Sequence, residues 1–110
     1  MKTPDAVSAL AALAHDKRLA AYRLLVEAGP EGLPAGVIAR RLGVPPPSLT
    51  FHLQSLQRAG LVTQARQSRQ LIYSADYAAM KGLVGFLTEN CCAGAAACAT
   101  SRPARRTRAA

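Results

Sequence analysis

The chain has 110 residues, half of them apolar, and a formal net charge of +8. That length supports one domain with a modest core and argues against a second. No apolar run approaches the roughly 18 residues of a membrane span and the N-terminus lacks a signal-peptide apolar core, so a cytoplasmic protein with no membrane association is expected.

The charge points to a polyanionic partner. Arg102, Arg105, Arg106 and Arg108 supply four of the eight charges, which leaves +4 for residues 1 to 101. Part of the basicity therefore belongs to the fold and part to a tail.

In chain order, Thr3-Pro4-Asp5 offers an N-cap, a proline at N1 and an acid in the first turn. The helix it opens would place Val7, Leu10, Ala11 and Ala14 on one face and end near His15. Asp16 is positioned to cap a second helix to about Ala28, with Leu19, Tyr22, Leu25 and Val26 spaced for burial and Gly29-Pro30 as its stop. His15 and His52 lack a second histidine or a carboxylate at helical ligand spacing, so capping or packing is expected of them rather than metal binding.

Residues 33 to 62 read as two short helices joined by a tight turn, followed by the start of a strand. Val37, Ile38 and Leu42 would face inward, and Gly43 suits a left-handed helix end. Pro45, Pro46 and Pro47 are compatible with a turn and the first turn of a new helix but not with a helix interior. The second helix, about Pro46 to Ala59, carries Leu49, Leu53 and Leu56 as one apolar stripe and Pro47, Ser48, Thr50, Phe51, Gln54 and Arg58 on the opposite face. A helix-turn-helix lays that second helix in the major groove of DNA. Between Glu31 and Asp76 there are five arginines (Arg40, Arg41, Arg58, Arg66 and Arg69) and no carboxylate. The plain alternative is a helical hairpin with a solvated basic face.

After Gly60 the period changes to that of strands. Residues 61–66 and 69–74 form two strand-like runs with Gln67-Ser68 between them, a hairpin whose tip carries Arg66 and Arg69 where they could meet phosphate. Asp76 then caps a final helix to about Asn90, with Tyr77, Met80, Leu83, Val84 and Leu87 at helical spacing. This stripe and that of the first helix together exceed what a small domain can cover. A symmetric homodimer through Val7, Leu10, Tyr77, Met80, Leu83, Val84 and Leu87 is the economical solution. The expected class is mainly α with a small β-hairpin, a winged helix-turn-helix. Residues 1–92 form the DNA-binding and dimerisation domain, and residues 93–110 form a flexible Ala/Arg-rich tail.

That order of elements resembles the ArsR/SmtB family of winged-helix metal-responsive repressors over about residues 7 to 90. The matching stretches are Leu13 to Leu19, Ile38 to Val44, Leu49 to Leu56 with Ala59-Gly60-Leu61-Val62, and Arg66 to Arg69 before Leu71-Ile72-Tyr73. The resemblance implies a dimeric repressor that binds a palindromic double-stranded operator and releases it when a metal ion or metalloid binds. The chain departs from the family pattern in several places. Pro45 and Pro46 stand where the family often has Ser-Gln, and Phe51 stands where it has the first of two histidines. Pro34 and Gly36 stand where many arsenic sensors carry cysteines, and the last helix lacks the His and carboxylate pairs of zinc sensors.

There remain Cys91, Cys92 and Cys98, an odd number in a reducing compartment, which favours ligands or reactive thiols over a disulfide framework. Three soft thiolates without a fourth ligand fit structural zinc poorly and suit a thiophilic ion of low coordination number. Trivalent arsenic or antimony takes three thiolates in a pyramid, and a singly methylated As(III) needs only two. Some arsenic repressors of the family are similar, with a C-terminal vicinal pair and a third cysteine six residues on. The short Ala-Gly-Ala-Ala-Ala spacer costs little to close. The expected inducer is As(III), with no organic cofactor. The competing readings are a thiol redox switch or a sensor of another thiophilic metal on the same fold. Two others come from different classes: a small cysteine-dependent reductase, for which no activated thiolate with a positioned acid or base is visible, and a basic RNA-binding protein. The chain is therefore read as a non-enzyme.

Overall fold

A computed structural model describes residues 1–94. Its elements run α1 (Thr3–Leu13), α2 (Asp16–Ala28), β1 (Leu33–Pro34), α3 (Ala35–Leu42), α4 (Pro46–Arg58), β2 (Val62–Gln67), β3 (Gln70–Ala75) and α5 (Tyr77–Leu87), with one tight turn at Cys91–Gly94. Expectation and structure agree on the class, a winged helix-turn-helix of helices with a small antiparallel sheet. Among the described residues, no helix is long and apolar enough to cross a membrane.

The core gathers around α4, which packs on α1, α2 and α3. Leu49, Leu53 and Leu56 are at most 1% exposed, and they share one cluster with Leu25 of α2 and Ile38 of α3. Each such side chain contributes roughly 1.5–3 kcal/mol by leaving water, so this stripe holds the helix rigidly on its back while its front stays in solvent. α3 ends at Gly43 with φ 64° and ψ 34°, the left-handed conformation expected there. Pro45 flanks α4 while Pro46 and Pro47 occupy its first turn, where no amide is missed.

Several local expectations need correction. Lys2, not Thr3, is the cap of α1, which makes Thr3 its first helical residue and Pro4 its second. The cap of α2 is His15, whose Nδ1 accepts from the Lys17 amide at 3.1 Å, and Asp16 is the first helical residue. α1 turns Ala6, Ala9 and Ala12 inward, small side chains that let two helix axes approach closely, while Val7, Leu10, Ala11 and Ala14 share an exposed face as expected. Leu19, expected inside, is likewise exposed, and Ala21 takes the buried place on α2.

The sheet order is β1-β3-β2, both pairings antiparallel. Leu33–Pro34, read as part of a helical segment, instead forms a two-residue rung: Leu33 faces Tyr73 and Pro34 faces Ile72. The wing turn lies one residue later than expected, since Gln67 pairs with Gln70 and the loop is Ser68-Arg69. Ser68 takes φ 56°, in keeping with the positive φ that two-residue hairpin turns require. Asp76 caps α5 by accepting from the Ala79 amide at 3.0 Å. The Tyr77 hydroxyl donates to the carbonyls of Leu25 and Val26, tying α5 to the end of α2. Leu83 is 7% exposed. Tyr77 and Leu83 thus serve the protomer's own core, whereas Val7, Leu10, Val84 and Leu87 of the expected dimerisation set point outward and Met80 is half-buried.

Candidate nucleic-acid interface

Because the leucine stripe of α4 is consumed by the core, the face opposite it is left to solvent. Pro47, Ser48, Thr50, Phe51, Gln54 and Arg58 are all exposed, and so are Arg66 and Arg69 of the wing. The structure therefore puts every expected DNA-contacting residue at the surface, six on α4, with Arg66 near the end of β2 and Arg69 in the wing turn. No carboxylate falls between Gly32 and Ala75, so nothing along α3, α4 and the wing repels phosphate.

Several polar groups on α4 are engaged by the helix itself. Thr50 Oγ1 donates to the Pro46 carbonyl at 3.1 Å, Ser55 Oγ donates to the Phe51 carbonyl at 3.2 Å, and Arg58 Nη2 donates to Ser55 Oγ at 3.2 Å. Phe51 is 57% exposed although it is the largest apolar residue on the face.

α2 also contributes to this surface, which periodicity within one helix could not reveal. The guanidinium carbon of Arg18 lies 6.0 Å from the Phe51 ring centre, within cation–π range. The His15 and His52 rings meet at 4.6 Å with a 46° tilt, so His15 both caps α2 and packs, and His52 packs. Burial, then the neighbouring His15 and then Arg18 hold the His52 imidazole below its ordinary pKa. The available signal was the basic run Lys17-Arg18 at a helix start, but its target across the fold is a non-local contact.

Cys91 and Cys92 follow α5. Both are exposed and their sulfurs are 3.6 Å apart. The chain turns through left-handed backbone at Asn90 (φ 58°), Cys92 (φ 55°) and Ala93 (φ 57°). Cys98, like the tail arginines, lies outside the described residues. Among the described residues, no three His, Cys, Asp or Glu side chains are grouped to hold a metal.

A family profile described as a helix-turn-helix domain matches residues 13–65. Among solved structures, the chain is similar to an ArsR-like transcriptional regulator from Rhodococcus sp. RHA1, with 30% identity, 76% of each chain covered and a TM-score of 0.65. It is also similar to NolR from Sinorhizobium fredii, at 31% identity over 78% of this chain and 83% of that one, with a TM-score of 0.62. A homodimeric winged helix-turn-helix DNA-binding domain from Mycobacterium bovis, a possible ArsR-family regulator, shares the fold at 24% identity. It covers 79% of this chain and 81% of its own, with a TM-score of 0.63. No curated protein matches the chain significantly.

Proposed function

The chain belongs to the ArsR-like family of winged helix-turn-helix transcriptional regulators, and from that premise we propose that it is a homodimeric repressor which leaves a palindromic operator on binding trivalent arsenic or antimony. The observation that carries the sensing half is the pair of exposed sulfurs 3.6 Å apart directly after α5. With its cysteines reduced, the chain would supply two thiolates from Cys91 and Cys92 and a third from Cys98, and three thiolates against a 3+ ion leave no net charge to compensate.

The DNA half rests on the carboxylate-free surface of α4 and the wing. With one α4 from each protomer in successive major grooves, the two reading heads sit about 10 bp apart. The dimer is supported by exposed Val7 and Leu10 on α1, by Val84 and Leu87 on α5, and by the homodimeric state of the fold relative from Mycobacterium bovis. Because the cysteines adjoin α5, tying Cys98 back to them would alter how the α5 helices pack and hence the spacing of the heads. Coupling is reciprocal: an inducer that weakens DNA binding is itself bound more weakly by the DNA-bound dimer.

The test is release of operator DNA titrated side by side with arsenite, antimonite, zinc, cadmium and peroxide. Arsenite or antimonite should release it at the lowest concentration, and Cys98→Ser should bind operator as the parent does yet fail to respond. Release by peroxide alone would replace this reading with a thiol redox switch. Release of Cys98→Ser at the parent's arsenite concentration would remove the triad.

A further inference from the structure

The reading face of α4 is unusual in what it offers a base pair. Its start is built from Pro45, Pro46 and Pro47, which have no amide proton to donate. The Thr50 hydroxyl proton is committed to the Pro46 carbonyl, which turns attention to the methyl group on the same side chain. Phe51 then projects a full aromatic ring into solvent. Leaving that ring in water forgoes the 1.5–3 kcal/mol or so that burying it would yield, and the leucine stripe one face away shows that the fold had a core to offer. The ring is flanked as well as exposed, with the Arg18 guanidinium of α2 6.0 Å from its centre and the His52 ring centre 6.2 Å away at 63° to it.

In the major groove the one apolar group a base presents is the C5-methyl of thymine, and phenylalanine is among the side chains that contact it. One turn along the same face, Gln54 has the paired donor and acceptor that match adenine N6 and N7. Resting on the DNA-binding reading above, we propose that Phe51 is a specificity-determining residue that recognises a thymine methyl in each half-site, beside an adenine read by Gln54, with Arg18 as the positioning residue that holds the ring. Affinity from the arginines then comes without sequence information, and the operator is chosen largely by carbon.

The experiment uses the full chain and duplexes that it selects from a random pool. Each thymine is replaced singly by deoxyuridine, which keeps every hydrogen bond and removes only the methyl. At one or two positions per half-site affinity should fall about fourfold, the equivalent of one buried methylene. At those positions Phe51→Ala should bind the thymine and uracil duplexes equally, with its salt dependence unchanged. Arg18→Gln should narrow the thymine-to-uracil ratio, a readout that general weakening would not move. If no uracil substitution changes affinity while duplex binding and its salt dependence persist, the methyl reading is overturned and the DNA-binding reading stands. If no duplex is selected over single-stranded or RNA competitors, both fall.

Discussion

At the scale of single residues, His52 and Tyr22 carry the clearest consequences. The native His52 imidazole is held below its ordinary pKa, by burial first and then by His15 and Arg18 of α2. As pH falls through about 6.5 the unfolded chain takes up a proton that the native chain refuses, so stability declines toward acid until the native value is passed. Urea melts between about pH 7.5 and about pH 5 should show that slope, and His52→Gln should flatten it. Tyr22 is 7% exposed and its hydroxyl is buried with no hydrogen-bond partner among the described residues. Removing it in Tyr22→Phe should be neutral or stabilise the fold by about 1 kcal/mol in the same melts, since no bond is lost and a desolvated oxygen goes.

At the scale of elements, two of the turns at positive-φ glycines separate backbone strain from crowding. Gly43 has φ 64° and open space where a Cβ would go, so Gly43→Ala should cost only about 1 kcal/mol of left-handed strain. Gly32 has φ 73° and a Cβ there would run into the Tyr73 carbonyl and Ser74 Oγ, so Gly32→Ala should cost clearly more in a denaturant melt. In the wing, Arg66→Ala or Arg69→Ala should weaken binding to all duplexes alike and reduce the salt slope by about one per lost phosphate contact, measured by mobility shift across a salt series.

The helix-turn-helix was legible because Leu49, Leu53 and Leu56 recur at one helical spacing and Gly43 with three prolines marks the break between helices. The buried face of α1 was not, because Ala, Val and Leu fill nearly every position from Ala6 to Ala14 and apolar periodicity cannot choose among them. What decides is interhelical distance, which favours alanine inside. The wing register slipped by one because Leu71-Ile72-Tyr73 is a continuous apolar run in a strand paired on both edges, with no Asn-Gly turn to pin it. At the interface, the exposed face of α4 followed from the stripe opposite it. Arg18 and His15 did not, since their meeting with Phe51 and His52 depends on how α2 packs across α4.

At the scale of the whole molecule, apolar surface is left over on one side. Val7, Val84 and Leu87 are 59%, 56% and 58% exposed, and beside them α2 and α5 border a mostly apolar groove of about 330 Å³ lined by Leu13, Leu19, Val26 and Met80 among others. Changing Val84 and Leu87 together to Glu should turn a dimer into a monomer in sedimentation equilibrium. Far-ultraviolet dichroism should stay unchanged, and operator affinity should be lost because two half-sites are no longer bound as one. The short rung between β1 and β3 carries a kinetic consequence. It joins Leu33–Pro34 to Ile72–Tyr73, and Ser74 Oγ donates to the Pro30 carbonyl at 3.2 Å, so α3, α4 and β2 all lie inside one loop of the chain whose ends are held together there by hydrogen bonds. Closing that loop costs chain entropy that local helix formation does not offset, which places the rung late in folding. A growing polypeptide has its recognition helix long before it has the rung, and α4 is aligned with the wing only once β3 has been synthesised and has folded back onto β1.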